Sequence, residues 1–249
     1  MSDLAQALIQ IGDDHLILGH RLSEWCGHAP MLEEDLSLPN MALDLIGQAR
    51  GLYQHVAALH GDGRDEDALA FLRTDRQYRN LLMVERPNGD FAHTMLRQFY
   101  FAAFMVPFWE TASDSADEAV AAIAAKAVKE MAYHLRHAGE WVVRLGDGTQ
   151  ESARRMGDAV DALHLYTDEM FQPSPAMAAC AAQGLLPDVG ALRPAWRATV
   201  DEVFGLAFLT VPDVEYPQRG GREGLHTEEL GHLLAIMQAL PRQMPDARW

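Results

Sequence analysis

The chain has little of several things, and each shortage excludes something. Its only cysteines, Cys26 and Cys180, lie far apart without metal-type spacing, so neither a disulfide framework nor a zinc site is expected. Cations are scarce: 20 Lys and Arg against 36 Asp and Glu give a formal charge of −16. Such a surface repels phosphate backbones and anionic lipid, which argues against nucleic-acid or membrane partners. The most apolar run, FYFAAFMVPFW from Phe99 to Trp109, is far shorter than the roughly 20 residues a bilayer span needs. The N-terminus lacks a basic start and apolar run and carries Asp13 and Asp14, so a cytoplasmic protein is expected. No segment alternates β-branched and polar residues as a strand does. Also missing are a Gly-x-Ser-x-Gly elbow, a phosphate loop and a dinucleotide fingerprint.

What is present is a long-helix pattern. Leu4, Leu8, Ile11, His15, Leu18, Leu22 and Trp25 recur at steps of four and three, predicting a first helix to about Gly27. A second is expected after Ser37 as N-cap, with Pro39 in its first turn and Leu38, Ala42, Leu45, Ala49, Leu52, Val56 and Leu59 inward, ending at Gly61. Asp90 caps a third that is apolar nearly all round. Ser115-Ala-Asp-Glu118 has the form of a capping box opening a fourth, and Thr149 starts a fifth to about Phe171. Further helices are expected near 193–208 and after Thr227. The fold class is all-α, one domain over 1–249, with four long helices and accessory C-terminal ones.

A bundle of this kind can hold two irons when two helices each give a Glu and the other two each give a Glu-x-x-His pair. Here that pattern is broken. Asp44 is followed three residues later by Gly47, Glu130 by Tyr133 with His134 one residue late, and the third helix has no acid between Asp90 and Glu110. Asp44, Glu130 and His134, with Asp14 or Glu24 on the first helix, read as degenerate iron positions that bind no metal. Counting back from Glu130 by one helical hairpin reaches Arg97 and Gln98. Arg97 is the expected substitute cation, pairing with the leftover acids Asp44 and Glu130. The acid-to-His steps at Asp90/His93, Asp161/His164, Glu223/His226 and Glu229/His232 read as capping or solvated residues. Arg219-Gly-Gly-Arg222 reads as an inter-helix loop, and is where a partner or substrate tail would dock.

The stretches RLSEWCGHAP from Arg21, NMALDLIGQAR from Asn40, KEMAYHLR from Lys129 and GLHTEELG from Gly224 resemble the C-subunit family of bacterial 1,2-phenylacetyl-CoA epoxidases, and the resemblance runs on to Trp249. It implies a ferritin-like four-helix bundle that serves as a structural component of a monooxygenase complex in aerobic phenylacetate degradation. It further implies no catalytic residue and no cofactor in this chain, di-iron in the catalytic partner of the complex, and electrons from NADPH through a reductase component. The apolar third helix and the first two helices are the surfaces expected to meet a partner. A homodimer of the isolated chain is an open possibility. The alternative is an autonomous ferritin-like di-iron oxidase.

Overall fold

The computed structural model describes residues 2–244 and Ala247; Met1 and the terminal Trp249 lie outside the described residues. Its helices are α1 (Asp3–Ser23), α2 (Leu32–His60), α3 (Glu66–Phe71), α4 (Leu82–Glu85), α5 (Phe91–Ala112), α6 (Glu118–Gly146), α7 (Gln150–Leu163), α8 (Pro175–Ala182), α9 (Arg193–Leu206), α10 (Glu228–Met237) and α11 (Ala239–Gln243). Among the described residues there is no strand. Two antiparallel hairpins, α1/α2 and α5/α6, form the expected ferritin-like bundle, and α7 to α11 wrap its sides and end.

The apolar pattern decides which helices are interior. In α1 nearly every residue from Leu4 to Leu18 is buried, and in α5 burial is continuous from Thr94 to Met105. These two helices are the centre of the bundle. α2 and α6 are one-sided, with buried residues at steps of three and four, and their other faces meet water. The apolar run of α5 is therefore core, and the expectation that this helix meets a partner is corrected: Phe99, Phe101, Phe104, Phe108 and Trp109 are all buried within the chain.

Helix boundaries differ from the expected ones for physical reasons. α1 stops at Ser23, and a left-handed Gly27 carries the turn that follows. α2 starts at Leu32 and runs through Pro39; Glu33, Glu34 and Asp35 in its first turn favour the positive end of the helix dipole. Leu59, expected inside, is exposed. α6 is capped by Asp117, whose carboxylate accepts from the Val120 amide at 2.9 Å, while Ser115 donates to the Leu185 carbonyl. The predicted helix from Thr149 to Phe171 is α-helical only to Leu163 and tightens to a 3₁₀ helix over His164–Phe171.

Candidate functional site

Along the seam between α2 and α6, polar pairs follow one another like rungs. His55 Nε2 lies 3.0 Å from Asp117 Oδ1, Gln48 donates to Glu130 Oε2 at 2.9 Å, and His134 Nε2 lies 3.2 Å from Asp44 Oδ2. Further on, Ser37 Oγ and Tyr133 Oη are 3.2 Å apart, and His137 Nε2 is 2.8 Å from Glu34 Oε2. Residues 34, 37, 44, 48 and 55 fall near one face of α2, and 130, 133, 134 and 137 near one face of α6. Antiparallel packing then brings them opposite each other.

At mid-height this seam reaches the bundle centre. His134 is fully buried, and Gln98 of α5 donates its amide to Nδ1 at 3.1 Å. That leaves the ring proton on Nε2, facing Asp44. Glu130 is held by Gln48 and by Lys126 at 3.1 Å. From α1, His15 donates Nδ1–H to the Ile11 carbonyl at 2.7 Å and packs edge-on to Phe101. Burial lowers its pKa to about 4, so the ring is neutral. Gln98 Oε1 is a buried acceptor with no partner among the described residues.

Of the three expected positions, Asp44 and His134 meet, while Glu130 is taken by Gln48 and Lys126, and Arg97 is not their counter-charge. Its guanidinium is buried and donates to the carbonyls of Arg86 and Pro87 and to Asn88 Oδ1. Burial, with Arg21 nearby, lowers its pKa to about 9. Residues 97 and 98 point about 100° apart on a helix, and it is Gln98 that faces α6. Asp14 and Glu24 also lie elsewhere: Asp14 pairs with Arg222, and Glu24 with Arg21 and Asn88.

A carboxylate-bridged di-iron centre does not fit this donor set. α1 supplies an imidazole and α5 an amide where carboxylates are needed, and the Gln48 and Gln98 amides are already spent on Glu130 and His134. Among the described residues no three His, Cys, Asp or Glu side chains gather as a metal site. The acid-to-His steps are dispersed too. Asp90 caps α5 and holds His93, His164 meets Tyr100, and His226 is taken by Glu85 instead of Glu223.

Sequence reasoning missed a second polar system at one side of α1. Asp13 binds Arg73 and the Arg79 amide, and Tyr53 donates to the same carboxylate. Asp14 takes Arg222 at 2.7 Å and the Leu81 amide at 2.7 Å; burial raises its pKa to about 6 against the pull of Arg222. Glu85 gathers His226, Thr227 and Asn80. Burial works against a charge on His226, yet the Glu85 carboxylate and the Tyr78 carbonyl outweigh it and raise the pKa. Glu169 accepts from the amides of Leu82, Gly220 and Gly221, each at 2.8 Å. The Arg219–Arg222 loop, expected to dock a partner, is thus filled from within, Arg219 pairing with Asp168. The available signal was Asp13-Asp14 on the buried side of an apolar helix, which demands cations from elsewhere.

The outer face of α2 is different in kind. Leu32, Leu36 and Leu43 are 70%, 59% and 66% exposed, lie within about 40° of one helical line, and continue the exposed Met31. Known proteins share this chain's whole length. A family model described as "Phenylacetic acid catabolic protein" matches residues 1–249. The C component of the 1,2-phenylacetyl-CoA epoxidase of Escherichia coli (strain K12) is 45% identical over 249 residues, covering all of both chains. The chain belongs to the phenylacetic acid catabolic protein family.

Proposed function

We propose that this chain is a non-catalytic structural subunit of a 1,2-phenylacetyl-CoA epoxidase of aerobic phenylacetate catabolism, a single ferritin-like domain working in the cytoplasm. It packs against a catalytic partner that holds the di-iron centre, while NADPH serves the complex through a reductase. The observation that carries the reading is the bundle centre: His134 is held between Gln98 and Asp44, and Glu130 between Gln48 and Lys126, so the interior is organised by amides and imidazoles. Full-length similarity to the C component of such an epoxidase supports the same assignment.

The leucine stripe on α2 suits the catalytic partner. Three exposed leucines on one line are a costly surface for an isolated chain and a normal one for an obligate interface. A rigid bundle docked there holds the partner's helices, and through them its iron ligands, in register.

Two measurements test the reading. After anaerobic loading with ferrous iron and desalting, the chain is expected to retain less than about 0.1 iron; about two tightly held irons would make it a di-iron oxidase in its own right. Co-expressed with the catalytic partner, the wild type is expected to co-purify. A Leu36→Glu/Leu43→Glu variant should lose the partner while keeping its own melting temperature, since both side chains are already in water. Retention of the partner by that variant would move the interface off α2.

A further inference from the structure

A cavity of about 340 Å³ lies between the N-terminal half of α1 and the segment that carries α3. Ile9 and Gln10 line it from α1, Leu69 from α3, and Arg64, Arg73 and Arg79 from the chain on either side of α3. No Asp or Glu lines it. In a chain of −16, a cavity walled by three arginines and no acid reverses the charge of its surroundings, and an anion is drawn to it.

The three arginines differ in what they have left to offer. Arg73 is buried and fully committed: its Nε donates to the Leu69 carbonyl, and its Nη atoms donate to Asp13 and Tyr53. It is a fixed wall whose charge Asp13 cancels. Arg79 donates Nη1 to the carbonyls of Arg76 and Tyr78 at 2.7 and 2.6 Å, and among the described residues no carboxylate pairs with its side chain. Arg64 is exposed and holds only Asp62, two residues away on the same loop, so it is free to turn toward a stronger acceptor.

Gln10 is the second sign of a ligand. It is only 5% exposed, and its Oε1 has no partner among the described residues. A buried acceptor left unmet is costly and rare, and one in a cavity wall is met by a donor that comes from outside the chain. Ile9 and Leu69 add an apolar surface beside it.

We propose that this cavity binds a small hydroxylated organic oxyanion, a carboxylate or a phosphate monoester. Arg79 and Arg64 take the anionic group, Gln10 Oε1 accepts from the hydroxyl, and Ile9 and Leu69 cover the apolar body. The volume is at the small end of the roughly 300–1,000 Å³ that ligand sites occupy. The site uses neither the α2 leucine stripe nor the bundle centre, so it stands or falls apart from the subunit reading.

The test is a titration of the isotope-labelled full-length chain, followed by NMR at the backbone amides of Ile9, Gln10, Leu69 and Arg79. Two probes, 3-hydroxybenzoate and 3-hydroxyphenyl phosphate, carry the two oxyanions on one hydroxylated body. Benzoate lacks the hydroxyl, and 3-hydroxybenzyl alcohol lacks the charge. At least one hydroxylated oxyanion is expected to shift these amides saturably with a Kd of about 1 mM or tighter, and the order of the two says which anion the site prefers. Benzoate should bind about tenfold more weakly than 3-hydroxybenzoate, and the alcohol should leave the amides unmoved. Arg64→Gln/Arg79→Gln should weaken the oxyanions by about tenfold or more, the worth of a hydrogen bond to a charged group. Gln10→Leu should bring 3-hydroxybenzoate down to the affinity of benzoate, with a melting temperature unchanged or raised, because an unmet acceptor is gone. The proposal is overturned if neither hydroxylated oxyanion moves these amides at up to about 10 mM, or if the alcohol binds as tightly as the acids. Full affinity for both oxyanions in the arginine and Gln10 variants would count equally against it.

Discussion

Gln98 donates its side-chain amide to His134 Nδ1, and the direction of that bond sets the chemistry of the bundle centre. An amide nitrogen can only donate, so Nδ1 must accept and the ring proton sits on Nε2, toward Asp44. Gln98→Leu would strand a fully buried ring nitrogen, at a cost of about 1–3 kcal/mol. Adding His134→Leu removes the stranded group and leaves Asp44, which is half-buried, to water. The double variant is therefore expected to be more stable in urea than Gln98→Leu alone. Costs that simply add would show that the two side chains act separately.

Asp13 and Arg73 form the most enclosed arginine–carboxylate pair of the described residues, with Tyr53 on the same carboxylate. Asp13→Asn keeps the size and removes the charge, which leaves a buried guanidinium without a counter-charge. The expected loss is about 3–5 kcal/mol, read from urea or guanidinium midpoints at constant slope. Replacing the pair by Asp13→Leu/Arg73→Met should cost much less than Asp13→Asn, because no charge is then left buried. A double variant as unstable as the single one would mean that the hydrogen bonds from Tyr53 and the Arg79 amide, not the charge pairing, dominate.

These two cases show what one sequence can carry. The long helices were readable because a one-sided apolar stripe repeats over many turns, as in α6, and the broken ligand pattern was readable as Gly47 and Tyr133 standing at the third step. Helix starts were not: Ser37 and Ser115 look like caps, but the acids at 33–35 and Asp117 supply the better end chemistry. The choice between Arg97 and Gln98 depends on helix phase relative to a neighbour, and a stripe that is apolar all round does not record it. The ionic pairs were out of reach for another reason: Arg73 is 60 residues from Asp13 and Arg222 is 208 from Asp14. Nothing local marks them as partners.

Glu169 ties the C-terminal loop to the start of α4 through three amides. Glu169→Ala leaves the Leu82, Gly220 and Gly221 donors buried and unmet, each at about 1–3 kcal/mol before relaxation. Part of that cost is avoided if the loop opens. The expected signature is faster hydrogen exchange at these amides, about tenfold or more, while amides in the middle of α1 and α5 keep their protection. Unchanged exchange at Gly220 and Gly221 would refute the role given to Glu169.

His15 and Asp14 are adjacent in sequence, and acid acts on them in opposite directions. His15 titrates near 4 in the fold and near 6.5 in an ordinary setting, so between these values the unfolded chain binds more protons. Its stabilising contribution is full above pH 6.5 and falls by about 3 kcal/mol as the pH drops to 4. Asp14 titrates near 6 in the fold against 3.8 ordinarily, so there the folded chain binds more protons and stability rises by about 3 kcal/mol over the same descent. In the wild type the two nearly cancel. His15→Leu removes one side of the balance, so its stability relative to wild type should rise by about 3 kcal/mol between pH 7 and pH 4. Asp14→Asn should start lower, because Arg222 loses its partner, and should fall further behind wild type as the pH drops. Urea unfolding of the three proteins across this range decides the matter: parallel curves would mean that neither group changes its titration on folding.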